Sequence, residues 1–274
     1  MPYYATQDGT KLYYEDVGKG ETILFLHGLG SSHIKIKNFI NEFKSQYRCV
    51  YYDHRGHGPS DVPNFHINIR TLARDLNEII EYLDLKDITI IGHSMGAATI
   101  FNYIEQFGCS KLKRMVCVDM SPYLRNHDWK GGISQGKWTD EDFFCDFDRF
   151  FDNVGEGNWH ITKESMVPGL KNFPKEYERI MIDSIKNSIN PFIMAGFWYS
   201  LFRTDQRPFI KKITIPFLYI MPDFPLYSME TVNFYKNNVK GKFVLDNNFP
   251  KTTHLILMEK PHEVAESVKK FIKN

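Results

Sequence analysis

Residues 88–107 read ITIIGHSMGAATIFNYIEQF. A short β-branched run, ITII, gives way to a serine between two glycines, and Gly96 opens a stretch with helical composition. Gly92, Ser94 and Gly96 form the pattern G-x-S-x-G. On a sharp strand-to-helix turn this pattern makes sense as chemistry. The glycines let strand and helix pack closely, the serine takes a strained backbone conformation, and its hydroxyl projects above the sheet. Ala97 and Ala98 keep the helix close to its strand. The next amide, Met95 N–H, falls at a helix N-terminus, where unsatisfied donors and the helix dipole can stabilise an oxyanion. The competing reading, a serine in an ordinary glycine turn, suits the bare pentapeptide. It does not suit one with a strand before it and a helix after it.

Outward from this point, similar β-rich runs recur before glycine or acidic turns: TILFLHG (22–28), CVYYD (49–53), MVCVD (115–119), FLYIM (217–221) and KFVLD (242–246). Runs this apolar suit strands buried on both faces. Ile69, Leu72, Leu76, Ile79 and Leu83 mark a helix between two of them. Strand alternating with helix implies an α/β fold with a mostly parallel sheet covered on both sides. The N-terminal YYATQDGTKLYYED places two aromatic runs around Asp8-Gly9, a good hairpin turn, and so adds antiparallel strands at one edge. From 122 to 207 the strand rhythm stops and the chain turns aromatic and helix-leaning, with Trp129, Trp138, Phe143, Phe147, Trp198 and Phe202 among its rings. The expected division is a core of residues 1–121 and 208–274 with a helical cap inserted at 122–207.

A chain of 274 residues is long enough for one large core. Its 34 Lys and Arg against 33 Asp and Glu leave no basic footprint for nucleic acid, and no acidic field to steer a charged partner. The start lacks the basic and apolar regions of a secretory signal, and no stretch approaches the length of a membrane span. A soluble, cytoplasmic protein is expected. Cys49, Cys109, Cys117 and Cys145 lack metal-knuckle spacing, and disulfides are not expected.

HGLGSS (27–32) follows the strand run TILFL, and its glycines allow close backbone approach to a ligand, which makes Leu29 N–H the candidate second oxyanion donor. Of ten histidines, His254 in TTHLILMEKPHEV follows the last strand and precedes a helical pattern, so it can swing over the serine turn as its base. His54 and His57 in DHRGHGPSD could suggest a metal pair, but a glycine-punctuated loop has no helix to aim both rings together.

Taken in order, these landmarks resemble the α/β-hydrolase superfamily: Y-x-T-x-D-G (4–9), HGLGSS, D-x-R-G-H-G-x-S-D (53–61), GHSMG, DMSP (119–122), and His254 followed by Glu259 and Pro261. The resemblance covers nearly the whole chain. It implies a central, mostly parallel sheet of eight strands flanked by helices with an inserted helical cap. It also implies Ser94 as nucleophile, His254 as base, and Leu29 and Met95 N–H as the oxyanion hole. Thr253 departs from the pattern, since many relatives have glycine before the histidine.

The acid is the open point, because both Asp119 and Asp223 lie between Ser94 and His254. In most relatives it follows the strand corresponding to FLYIM, about three residues after a glycine and just before a Pro-Leu pair. Here Pro222 replaces that glycine, Asp223 comes too early, and Phe224 precedes Pro225-Leu226. Asp119, at the end of MVCVD beside the serine strand, is therefore preferred to Asp223, with Asp246 third.

The resulting expectation is a serine hydrolase of the carboxylesterase type, needing no metal or organic cofactor. Its partner would be a small, largely apolar ester or related carbonyl compound, with neither nucleic acid nor membrane involved. The alternatives are carbon–carbon bond hydrolysis, a cofactor-free perhydrolase, or a non-catalytic small-molecule receptor using the same covered pocket. A haloalkane dehalogenase or epoxide hydrolase of this fold would be expected to carry aspartate in place of Ser94.

Overall fold

A computed structural model describes residues 2–165, 175–186 and 188–274. Eight strands form one sheet: β1 (Tyr3–Ala5), β2 (Lys11–Val17), β3 (Thr22–Leu26), β4 (Arg48–Tyr52), β5 (Ile88–His93), β6 (Leu112–Val118), β7 (Phe217–Ile220) and β8 (Phe243–Asp246). Their spatial order is β1-β2-β4-β3-β5-β6-β7-β8. β1 and β2 pair antiparallel through Tyr3–Tyr13, as the Asp8-Gly9 turn predicts, and β2 runs antiparallel to β4. From β4 to β8 every pairing is parallel. The fold is thus the α/β type with an eight-stranded, mostly parallel sheet.

The central strands β3 to β7 are largely apolar on both faces because both faces are covered. Leu24, Leu26 and Val50 point into one core layer, while Ile23, Phe25 and Cys49, one residue out of phase, point into the other. The helix Ile69–Tyr82 starts at Asn68, whose side chain accepts from Thr71 N at 2.9 Å, and it buries the predicted Ile69, Leu72, Leu76 and Ile79. From that helix Asp75 holds the buried Arg55 in a two-pronged ion pair at 2.7 and 2.6 Å. Arg55 also reaches Asp8 of the N-terminal turn at 2.7 Å. Within residues 53–61, Ser60 Oγ donates to Asp53 O and Gly56 N to Asp61 O, so the glycine-punctuated loop is tied to itself as well as to the hairpin.

Between β6 and β7 the described chain is helical at Ile133–Gly136, Asp140–Asp152, Val154–Ser165, Lys175–Lys186 and Pro191–Arg203. The part of the 122–207 span at 166–174 and 187 lies outside the described residues. These helices touch the core at specific points. Ile69 N donates to Ser200 Oγ at 2.9 Å, Gln206 Nε2 donates to Ala98 O at 2.7 Å, and His57 bridges Ile189. Most of the aromatic residues there pack on one another, with Phe143 stacked on Phe202 at 3.5 Å and on Trp198 at 5.7 Å. All four cysteines are free thiols, Cys49 and Cys117 buried in the core. Among the described residues, no helix is long and apolar enough to cross a membrane.

At the serine turn, backbone approaches backbone closely. A Cβ on Gly96 would stand 2.4 Å from Leu26 O and 2.9 Å from His27 O, and one on Gly92 would stand 2.5 Å from Ala97 N. These obstacles are backbone, which cannot rotate aside. Gly96→Ala is therefore expected to destabilise the fold by the upper part of the usual overpacking cost of about 1–3 kcal/mol, or more, in urea denaturation. Unchanged stability would contradict this packing.

Candidate active site

Ser94 follows β5 and caps the helix Met95–Phe107 with φ 52° and ψ −121°, a conformation costly for a residue with a side chain. Ala97 N and Ala98 N both donate to Ser94 O, at 2.8 and 3.2 Å, which starts the helix directly behind the serine. Met95 N–H is among the first helical amides, which have no partner within the helix. On the opposite side, a Cβ on Gly28 would lie 3.2 Å from Ser94 Cβ, so the 27–32 loop lies against the serine. Gly30, at φ +66°, gives its N–H to His57 Nε2 at 3.1 Å, and Ser31 N donates to Gly28 O. Those amides are spent on holding the loop. Leu29, between Gly28 and Gly30, lines the cavity beside Ser94.

His57 thus acts on the loop from a distance of 27 residues, accepting at Nε2 while Nδ1 faces Arg55 O at 3.1 Å. Burial pushes its pKa down to about 4, which keeps the ring neutral and able to accept. His54 makes an edge contact with His27, and among the described residues no cluster of metal-ligating side chains assembles.

His254 Nδ1 stands 2.7 Å from Asp119 Oδ2. The carboxylate can only accept here, which assigns the proton to Nδ1 and leaves Nε2 as the basic nitrogen. Asp119 follows β6 at φ 41° and is fully buried. The same oxygen, Oδ2, accepts Leu226 N–H at 3.2 Å. The segment after β7, where spacing leaves the usual acid position empty, thus supports Asp119 with its backbone. Asp223 does different work. Its Oδ2 accepts Lys251 N–H at 2.8 Å and its own N–H donates to Thr252 Oγ1 at 3.2 Å, tying the β7 loop to the loop that carries His254. Asp246 accepts from Ser267 Oγ, facing the C-terminal helix Pro261–Lys273.

Two further groups hold the His254 loop, and the sequence gives no sign of the contacts they make. Glu259 takes both Thr253 N–H and Thr253 Oγ1 at 2.7 Å, which secures the backbone where glycine is usual. His93, the residue before Ser94, donates from Nε2 to His254 O at 2.7 Å, their rings 4.7 Å apart. Burial, reinforced by the neighbouring His254, pushes the His93 pKa down to about 3. His93 is a neutral strut between the serine turn and the His254 loop.

Ser94, His254, Leu29 and Gly28 line one cavity of about 110 Å³. Its walls are mostly aliphatic, including Leu124, Ile133, Ile161, Ile185, Met194 and Leu201. Of the rings between 122 and 207, Trp198 lines it. The other rings described in that span mostly pack on one another, as aromatic residues at helical spacing commonly do.

Residues 21–261 match the family model described as the alpha/beta hydrolase fold, and the chain belongs to that family. It is 32% identical over 236 residues, 81% of each chain, to a non-heme chloroperoxidase of Kitasatospora aureofaciens. In structure it is similar to an esterase of Exiguobacterium antarcticum, with a TM-score of 0.85 and 21% identity over 100% of this chain and 99% of that one. It is similar also to a bromoperoxidase of Bacillus anthracis, with a TM-score of 0.82 and 22% identity over 98% and 97%. At these identities the two structures speak for the fold.

The contacts of the two aspartates predict opposite outcomes. Asp119→Asn is expected to lower ester turnover roughly 10³–10⁴-fold, because asparagine can hold the wrong imidazole tautomer. Asp223→Asn should leave kcat within a few fold. Steady-state rates of the two purified variants decide between them, and reversed sizes would overturn the choice of acid.

Proposed function

We propose that the protein is a serine hydrolase that cleaves a carboxylic ester of a small, largely apolar substrate through an acyl-enzyme on Ser94. The observation that carries this reading is the 2.7 Å contact between Asp119 and His254 Nδ1, on a histidine that shares a cavity with Ser94. Ser94 Oγ attacks the ester carbonyl while His254 Nε2 takes its proton. Asp119 stabilises the imidazolium and keeps its orientation. Leu29 and Met95 N–H receive the negative charge that develops on the carbonyl oxygen, and His254 returns the proton to the departing alcohol. Water, deprotonated by the same nitrogen, then releases the acid. No step calls for a metal or an organic cofactor. Residues 122–207 act as a cap whose helices supply the far wall of the cavity. A cavity of about 110 Å³ favours a short acyl group over a long chain.

A second reading changes only the last step. With hydrogen peroxide in place of water, the acyl-enzyme yields a peroxy acid and free Ser94, and the peroxy acid can then oxidise a halide. The similarity to a non-heme chloroperoxidase supports it.

The test is a fluorophosphonate label combined with short and medium p-nitrophenyl esters, and a peroxy-acid assay with acetate and hydrogen peroxide. Labelling and ester turnover, both lost in Ser94→Ala, are expected. Labelling that survives Ser94→Ala would overturn the nucleophile. Folded protein with neither labelling nor turnover would turn the reading to a receptor. Peroxy acid formed faster than ester hydrolysis would favour the second reading.

A further inference from the structure

Lys35 lines the cavity that holds Ser94 and His254. Among the described residues it is the one lining side chain of fixed formal charge, and no Asp or Glu shares the wall. Its Nζ donates to Gly30 O at 3.2 Å, on the loop that carries Leu29. An ammonium has three N–H donors, and among the described residues no carboxylate pairs with this one. A cation half-buried in a mostly aliphatic cavity with no carboxylate on its wall costs free energy unless an anion accompanies it. If loop anchoring were its whole task, a neutral donor would serve at lower cost.

We infer that Lys35 is a specificity residue that receives a carboxylate borne by the substrate, so that the site takes a carboxylate-bearing ester or lactone. This rests on the hydrolase reading above and narrows its substrate class. The geometry also limits chain length. Gly28 packs on Ser94, Lys35 Nζ sits on Gly30 O, and the two chain steps from Gly28 to Gly30 span at most about 7 Å. The ammonium therefore stands on the order of 10 Å from the serine, which suits the hemiester of a short diacid.

Burial pushes the Lys35 pKa down to about 8. Of the titratable groups around it, His57 feels its charge, and His93, His254 and Tyr227 share the cavity wall; burial holds His57 and His93 neutral, at about 4 and about 3, and pushes the Tyr227 hydroxyl up. The lowered pKa means that the charge is present below about pH 8 and lost above it. The preference for an anionic substrate should follow the same course.

The experiment measures kcat/KM for p-nitrophenyl hemisuccinate and hemiglutarate, for 4-acetoxybenzoate, and for neutral p-nitrophenyl butyrate. The proteins are the wild type, Lys35→Met and Lys35→Gln. Glutamine keeps an N–H donor for Gly30 O but carries no charge. The ratio of anionic to neutral kcat/KM is expected to fall roughly tenfold to a hundredfold in both variants, the worth of a charge-assisted hydrogen bond. In the wild type the same ratio should decline as pH rises through about 8, whereas in Lys35→Gln it should be flat. A fall for the hemiesters places the anion on the acyl side, and a fall for the acetoxybenzoate places it on the leaving group. An unchanged ratio, with all esters slowed together or none slowed, would reduce Lys35 to a loop anchor and overturn the inference. If the wild type turns over no ester, the hydrolase reading fails separately. Calorimetry with glutarate then decides for Lys35: binding weakened tenfold or more in Lys35→Gln supports it, and equal or absent binding in both proteins overturns it.

Discussion

Ser94 is held at φ 52° and ψ −121°, where a side-chain-bearing residue does not rest of its own accord. Glycines make that conformation possible. Gly92 and Gly96 let the helix Met95–Phe107 start against β3, and Gly28 brings a second loop onto the serine from the other side. Side-chain atoms at these three positions would push apart the strand, helix and loop whose convergence exposes the hydroxyl. The parallel sheet supplies the frame, since β3, β5 and β6 are adjacent and end at the same edge. Their C-terminal loops therefore deliver Leu29, Ser94 and Asp119 to one place.

Around this point the site is a set of braces. His57 holds the Leu29 loop through Gly30, Glu259 secures the backbone before His254, and His93 ties the serine turn to the histidine carbonyl. Burial keeps His57 and His93 neutral and so suits them to fixed hydrogen bonding rather than proton transfer. The acid fits the same pattern. Asp119 sits on the strand beside the serine strand, and the chain after β7 contributes Leu226 N–H to it. Asp223 joins the two loops that bring Leu226 and His254 together.

Much of this was legible in the sequence. Strands buried on both faces have a composition that survives translation to structure, and the G-x-S-x-G turn announces itself through what flanks it. That Asp119 rather than Asp223 meets His254 agrees with the spacing that puts Pro222 and Phe224 around Asp223. The braces were not legible there. A contact such as His93 to His254, 161 residues apart, leaves no periodicity, and Glu259 as partner of Thr253 resembles any acidic residue opening a helix. The pocket wall was not legible for a related reason. Phe143, Trp198 and Phe202 lie on shared helical faces, but two of the three face one another and only Trp198 reaches the cavity. Nothing in the sequence sets Lys35 apart from the other lysines; only the fold brings it to the cavity.

The central claim is that Ser94 becomes covalently acylated, with Asp119 and His254 acting as one unit behind it. The direct measurement is a rapid acid quench of the protein with a short p-nitrophenyl ester, followed by mass spectrometry of the peptide containing Ser94. The account predicts an acyl mass increment on Ser94 that forms within the p-nitrophenol burst and decays at the turnover rate. Turnover with no increment on that peptide, or an increment on another residue, would contradict it.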